Sequence, residues 1–272
     1  MLDGGRDQAF GLRRLFPRRS LRVLAVASDG AQPSANAFVV NLAAALARMA
    51  WRPIVIDGQR DGVAATLGVT PRLELADLMS GRRAFASVAL RSPEGYSVLP
   101  AARGLLDVVD DPDAAEAMFS AIAAIVDGYD IAVLHAPAPV LGALLAHRPA
   151  ETAILCGPGD EDLTAAYANV KALVNGHGLS RFRVLFDRAP AAELTRQRHR
   201  RLADAARRFL AAAVEFGGAI APERELEAAR HARASVFSVA AQGRAARAFE
   251  RIASAAREWQ LPAYDAAGPT IH

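Results

Sequence analysis

The chain has little lysine or cysteine, and it lacks a long apolar run and a secretion signal. Lys171 is the single lysine and Cys156 the single cysteine among 272 residues. One cysteine cannot form an internal disulfide or a cysteine-rich metal site, which is typical of a reducing cytoplasm. No apolar run approaches the ~18 residues of a membrane span, and no secretion signal precedes the first strand pattern. We therefore expect a cytoplasmic protein.

The charge and hydropathy of the chain favour a packed, soluble domain. The formal net charge is +3 at pH 7, and 52% of the residues are hydrophobic. So small a charge gives no indication of nucleic-acid binding, and the apolar content suffices for one large core. We expect one domain over residues 20–260, a separate segment at 1–19, and a disordered tail at 261–272.

Short runs rich in Val, Ile and Leu alternate with longer helical patterns along the domain. This alternation predicts a three-layer α/β fold, a mostly parallel sheet with helices on both faces. The predicted strands are 21–27, 53–57, 97–100, 131–135, 152–156, 182–186 and 214–219. The predicted helices are 36–49, 75–80, 113–126, 162–175, 191–211, 222–230 and 242–259.

The first strand, loop and helix have the layout of a phosphate-binding loop. The loop itself reads Ser28-Asp29-Gly30-Ala31-Gln32-Pro33-Ser34-Ala35-Asn36. Such loops hold phosphates with glycine backbone N–H groups and a lysine. Here one glycine remains, Pro33 lacks an N–H, and Asp29 adds a negative charge. We expect this loop to bind a triphosphate poorly.

The helix that follows shows a family resemblance. Asn41-Leu42-Ala43-Ala44-Ala45-Leu46-Ala47 is similar to the NLAxALA pattern of MinD/ParA deviant-Walker ATPases, and most similar to their FlhG/FleN-type members. In that family the loop reads SGKGGVGKT. The resemblance places Gly30 at the family's signature lysine, Ala35 at its phosphate-binding lysine, and Asn36 at its magnesium-ligating Thr or Ser.

Three further positions depart from the family pattern. Asp57 keeps the first carboxylate of the DxD motif, but the second has become Gln59. His135 stands where the Walker B aspartate is implied, and Asp187 where relatives contact adenine with Asn. Imidazole is a poor partner for magnesium, which prefers oxygen donors. The resemblance thus implies a P-loop fold. The departures from the family motifs imply that the protein binds no metal or cofactor and has no ATPase activity.

Two other segments suggest partner contacts. Residues 7–13 match the DQAxxLR motif that, in FlhG-type relatives, binds and stimulates FlhF, a signal-recognition-type GTPase. The residues implied in that contact are Asp7, Gln8, Ala9, Leu12 and Arg13. Residues 242–259 form an amphipathic pattern with Phe249, Ile252 and Trp259 on one side, which predicts either a helix on the membrane surface or a final core helix.

The resemblance implies a regulator of flagellar placement or number. Such a protein would act as a pseudo-ATPase on an FlhF-type GTPase, and on a flagellar transcription activator or basal-body component. Because Gly30 replaces the lysine that crosses the ATP-bound dimer, we expect a monomer. Two alternatives stay open: an active ATPase switch that uses ATP and Mg²⁺ at the membrane, and an accessory subunit of another envelope machine such as cellulose secretion.

Overall fold

The computed structural model describes residues 21–28, 33–109, 111, 118, 122, 128–145, 151–259, 261 and 263–264. The strands are β1 (Leu21–Ala27), β2 (Pro53–Asp57), β3 (Leu90–Arg91), β4 (Ser97–Pro100), β5 (Ile131–Ala136), β6 (Thr152–Cys156), β7 (Arg181–Phe186), β8 (Ala213–Ala219) and β9 (Ala263–Tyr264). The helices are α1 (Pro33–Arg48), α2 (Val63–Thr66), α3 (Leu75–Met79), α4 (Phe85–Val88), α5 (Ala102–Val109), α6 (Ala138–Leu145), α7 (Asp160–His177), α8 (Ala192–Leu210), α9 (Arg224–His231), α10 (Val236–Ala240) and α11 (Arg244–Ala256).

The strands form one mostly parallel sheet in the order β3-β4-β2-β5-β1-β6-β7-β8. β3 pairs antiparallel with β4 at one edge, and β9 pairs antiparallel with the first two residues of β1. The central strand β1 lies between β5 and β6, both parallel to it. The predicted three-layer α/β fold is confirmed.

Both faces of the sheet are covered, which explains the unbroken apolar sequence of the central strands. Along β1, Val23 and Ala25 pack into the core on one face, and Leu24 and Val26 pack on the other. The second face is covered chiefly by α1 and α11, where the Phe38 and Phe249 rings meet edge to face at 5.0 Å. The sheet is therefore buried on both faces, and it reaches solvent at the ends of its strands.

Several local predictions need correction. Residues 263 and 264, expected in a disordered tail, form β9 because β6 does not reach the first residues of β1 and leaves that edge free to pair. The predicted helix 113–126 lies largely outside the described residues. Helices α2, α4, α5, α6 and α10 were not predicted, since their patterns are short.

The last long helix packs into the core, which decides between the two predictions made for it. Phe249, Ile252 and Trp259 are 0%, 3% and 4% exposed. The apolar side of α11 lies against α1 and the sheet, so these three side chains are not available to a lipid surface, and the membrane-surface prediction is wrong for this structure. No helix within the described ranges has the length and apolarity to cross a bilayer.

Candidate functional site

The carboxyl ends of β1, β2 and β5 bring three polar residues of the would-be phosphate site together. Ser28 directly follows β1, Asp57 ends β2, and His135 lies one residue before the end of β5. His135 is in register with Val26 on one side and with Asp57 on the other. The strand register therefore brings together residues separated by up to 107 positions in the chain.

These residues form a closed chain of hydrogen bonds. Ser28 Oγ lies 2.9 Å from His135 Nε2, and His135 Nδ1 lies 3.3 Å from Asp57 Oδ1. Gln59 Nε2 donates to Ser28 Oγ at 3.4 Å. All four residues are buried, His135 completely. An imidazole that donates from Nδ1 and accepts at Nε2 satisfies both of its neighbours. We call Ser28, Asp57, Gln59 and His135 the polar network.

Backbone groups hold the carboxylate of this network in place. Asp57 Oδ2 accepts from the Val63 backbone N–H at 2.6 Å, and Asp57 Oδ1 accepts from the Gln59 N–H at 3.3 Å. Gly62 packs so closely against this carboxylate that an added Cβ would lie 2.1 Å from Asp57 Oδ2. The turn after β2 is thus built around Asp57, which gives this carboxylate a structural function.

The residues present do not fit a magnesium ion. The Asp57 carboxylate is committed to two N–H groups and an imidazole, and His135 offers nitrogen where Mg²⁺ prefers oxygen. Asn36 offers an amide in place of a hydroxyl, and its Nδ2 donates to the Asp61 carbonyl at 2.8 Å. Within the described ranges, no cluster of three or more His, Cys, Asp or Glu residues could hold a metal.

The described start of α1, residues 33–36, carries no lysine. Ala35 is 5% exposed and presents a methyl group where the resemblance implies a lysine. Asp29 and Gly30 lie outside the described residues. The cleft beside Ser28 and Ala35 measures about 30 Å³, room for about two water molecules. We call this narrow cleft the phosphate end.

The serine, histidine and aspartate occur in the order of a hydrolytic triad. Ser28 is only 3% exposed, however, and the phosphate end beside it is too narrow for an acyl substrate. Gln59 also donates to the serine oxygen, which lowers its nucleophilicity. We therefore assign the polar network a structural role.

A second cleft, which we call the base end, opens beside the end of β7. Its volume is about 420 Å³, and Asp187 and Ser34 line both this cleft and the phosphate end. Arg188 adopts a positive φ of 47°, and its Nε donates to Asp187 Oδ2 at 3.1 Å. Arg188 Nη2 donates to Ser34 Oγ at 3.2 Å. The arginine thus joins the β7 end to the start of α1.

The electrostatics of Asp187 follow from its position. It is 8% exposed, and burial raises the pKa of its carboxyl, while the Arg188 guanidinium opposes that rise. Sequence reasoning named Asp187 but missed Arg188. The available signal was that Arg188 directly follows Asp187, the first residue after β7.

Not every predicted site residue falls within the described part of the chain. The five residues implied in partner binding, Asp7, Gln8, Ala9, Leu12 and Arg13, lie outside it, as do Asp29 and Gly30. The structure brings Asp57 and His135 together, places Ala35 with Ser28 at the phosphate end, and places Asp187 in the lining of both clefts.

Comparison with known proteins agrees with this architecture. The chain is 29% identical over 257 residues to the antiactivator FleN of Pseudomonas aeruginosa. The aligned region covers 93% of this chain and 92% of FleN. Its fold superimposes on MinD of Aquifex aeolicus with a TM-score of 0.66 and 18% identity, over 89% of this chain and 98% of MinD.

A ParA family ATPase of Chlorobium tepidum gives a TM-score of 0.64 at 18% identity, over 87% of this chain and 98% of that protein. No protein-family model matches the sequence. The FleN match extends over nearly the whole chain, and the solved structures share the fold of its sheet and helices. The chain is therefore FleN-like in sequence and has the fold of the MinD/ParA ATPases.

Proposed function

We propose that this protein is a cytoplasmic regulator of flagellar placement or number that acts by binding partners and does not hydrolyse ATP. The observation that carries the proposal is the polar network, in which His135, Asp57 and Ser28 satisfy one another where the family binds magnesium and phosphate. The match to an antiactivator supports a regulatory role.

The two missing lysines of the loop determine how much triphosphate binding is weakened. A hydrogen bond to a charged group contributes roughly 1.5–3 kcal/mol. Losing both lysines of the family loop therefore weakens triphosphate binding by about three powers of ten, since about 1.4 kcal/mol corresponds to a factor of ten.

The experiment is a calorimetric titration of the full chain with Mg-ATP, with light scattering in the same buffer. We expect no heat of binding at millimolar nucleotide and a monomer throughout. A MinD/ParA protein with an intact SGKGGVGKT loop serves as the positive control. Saturable Mg-ATP binding, or conversion of monomer into dimer, would overturn the proposal in favour of an active ATPase switch.

The partner proposed for residues 1–19 is an FlhF-type GTPase. A flagellar transcription activator is a second proposed partner of the protein. Removal of residues 1–19 should abolish stimulation of the GTPase and leave the fold unchanged, because the described domain begins at Leu21. Replacement of Asp7, Gln8 and Arg13 with alanine in the full chain should abolish the stimulation as well. Equal GTPase rates with and without residues 1–19 would favour an accessory role in another envelope machine.

A further inference from the structure

A pocket at the amino ends of the strands takes no part in the proposed function. It lies beside Arg52, Ser97 and Tyr129, which stand at or within two residues of the first residues of β2, β4 and β5. The phosphate end and the base end lie at the other end of the same sheet. The volume of the pocket is about 410 Å³, within the 300–1,000 Å³ of typical small-ligand sites. We call it the aromatic pocket.

Two aromatic rings form an accessible wall of the aromatic pocket. Phe85 and Tyr129 meet edge to face with their centroids 5.9 Å apart, and both residues are half-buried, so part of each ring is open to a ligand. The Tyr129 hydroxyl donates to Ser97 Oγ at 3.0 Å. This bond uses one of the two hydroxyl hydrogens, so the other is available to an acceptor. The wall therefore suits a flat apolar group that has a carbonyl close to it.

The charge beside these rings is positive. Arg91 lines the aromatic pocket, and Arg83 comes two residues before Phe85; both arginines are exposed. Neither guanidinium has an ion pair or a hydrogen bond within the described part of the chain. Arg52, which also lines the pocket, is paired with Asp130 at 3.0 Å and adds no net charge. The two unpaired guanidiniums are therefore suited to carboxylates of a ligand.

The acidic side chain of the β3–β4 turn is used on the opposite face of the sheet. Glu94 accepts hydrogen bonds from the hydroxyl groups of Ser235 and Ser238 at α10. α10 packs against the core on one face, whereas Phe85 and Tyr129 pack against the core on the other. Glu94 therefore does not occupy the cationic side of the aromatic pocket.

The shape of this region indicates how a partner would bind. β3, the edge strand, has only two residues, so a peptide that added to it as a strand would gain few backbone hydrogen bonds. The pocket has room for one aromatic side chain, and the arginines lie where they can meet charges on the chain that carries it. An aromatic anchor in a pocket with a charged rim is a usual arrangement at protein interfaces. A flat lipid surface would not enter the pocket.

We propose that the aromatic pocket binds an acidic peptide segment of a partner protein. One aromatic side chain of the segment packs against Phe85 and Tyr129, and its carboxylates pair with Arg83 and Arg91. This inference rests on the proposed function in one respect, because a regulator that acts by binding partners gains here a contact separate from residues 1–19. It is independent of nucleotide binding.

The test measures fluorescence anisotropy of a labelled pentapeptide, with phenylalanine between two pairs of glutamates, on titration with the full chain. Replacing the phenylalanine by alanine, or all glutamates by glutamine, should weaken binding at least about tenfold, since anchor and charge are then lost separately. Raising the salt concentration should weaken binding of the acidic peptide only.

Variants of the protein locate the site. Phe85→Ala should weaken binding about tenfold, and Phe85→Leu, which keeps an apolar wall, less than about threefold. Arg83→Ala and Arg91→Ala should each weaken it about threefold, because single exposed ion pairs contribute little. The matched control is Arg251→Ala, an exposed arginine of α11 on the opposite face, which should leave the affinity unchanged. Thermal unfolding establishes that each variant is folded.

The outcomes separate this inference from the proposed function. If the acidic peptide fails to bind at millimolar concentration, if the neutral peptide binds equally, or if Arg83→Ala and Arg91→Ala leave the affinity unchanged, the peptide site is refuted and the pseudo-ATPase proposal stands. If phosphatidylglycerol vesicles bind through these arginines and the peptide does not, the surface binds lipid and the peptide site is again refuted. If Mg-ATP binds, the pseudo-ATPase proposal alone is refuted.

Discussion

The phosphate end and the base end lie side by side at one edge of the sheet, yet they differ in how their polar groups are used. At the phosphate end, Ser28, Asp57 and His135 use their polar groups on one another, and about 30 Å³ of space remains. At the base end, the charged groups of Asp187 and Arg188 line a cleft of about 420 Å³.

The contrast shows two ways in which polar groups at the strand ends are accommodated, by hydrogen bonds to one another or by exposure in a cleft. A buried polar group left without its ligand destabilises the fold unless another partner is found. His135 provides that partner for Asp57 and Ser28, so the phosphate end is stable when empty. No such closure has occurred at the base end, where charged side chains still line an accessible cleft.

The largest effect is expected from Asp57→Ala. The change leaves the Val63 N–H, the Gln59 N–H and His135 without their buried acceptor, which should lower the free energy of unfolding by about 3 kcal/mol. Urea unfolding followed by circular dichroism measures it. The matched control, Asp61→Ala at an exposed position in the same turn, should stay within about 0.5 kcal/mol. Equal midpoints for both variants would mean that the polar network does not stabilise the fold.

Restoring the family aspartate with His135→Asp should also destabilise the protein. Two carboxylates would then face each other where His135 Nδ1 and Asp57 Oδ1 are now 3.3 Å apart, at a cost of about 2 kcal/mol at pH 8. Lowering the pH should recover stability, because one carboxyl takes up a proton and donates to the other. Thermal unfolding between pH 5.5 and pH 8 tests this, with His135→Asn as the uncharged control. A pH-independent loss, or a gain of Mg-ATP binding, would contradict the closed phosphate end.

Arg188→Ala should have a smaller effect that depends on pH. Burial already raises the pKa of Asp187, and removal of the guanidinium raises it further. The folded pKa then lies above the unfolded value, so the variant loses stability as pH rises through the folded pKa. We expect about 1–2 kcal/mol at pH 7 and less at pH 4. The control is Arg230→Ala, whose exposed pair with Glu227 should contribute under about 0.5 kcal/mol.

The smallest effect concerns Cys156, whose carbonyl accepts from the Asp187 N–H at 2.9 Å. Burial raises the pKa of its thiol to about 11. At pH 8 only about one thiol in a thousand is then ionised, so alkylation by iodoacetamide should be slow in the folded protein. Urea-unfolded protein provides the fast reference. Equal rates in both states would mean that the Cys156 thiol is accessible in the folded protein.

The sequence predicted the scaffold well for a physical reason. The buried central strands read as continuous apolar runs bounded by turns, so β1, β2, β4 and β6 were predicted at their observed bounds. α1 was predicted from Asn36 but begins at Pro33, which suits a first helical turn because it needs no N–H. Local composition carries this information without knowledge of the tertiary fold.

The hydrogen-bond partners of the side chains at the site were harder to predict from the sequence. His135 was predicted as a replaced aspartate, but its bonds to Ser28 and Asp57 depend on strand order and register, which join residues up to 107 positions apart. The environment of α11 was undecided for a similar reason. An apolar helix face fits a core or a lipid surface equally well, and only the position of the sheet shows which one covers it.

The pairing of β9 with β1 has a consequence for communication within the molecule. Leu21 and Tyr264 are partners at the amino-terminal end of β1, whereas Ser28 and the two clefts lie at its carboxyl end. The β1–β9 pair therefore lies at the pole opposite the clefts. A ligand in either cleft could affect the β1–β9 pair only along β1, which is seven residues or about 23 Å long.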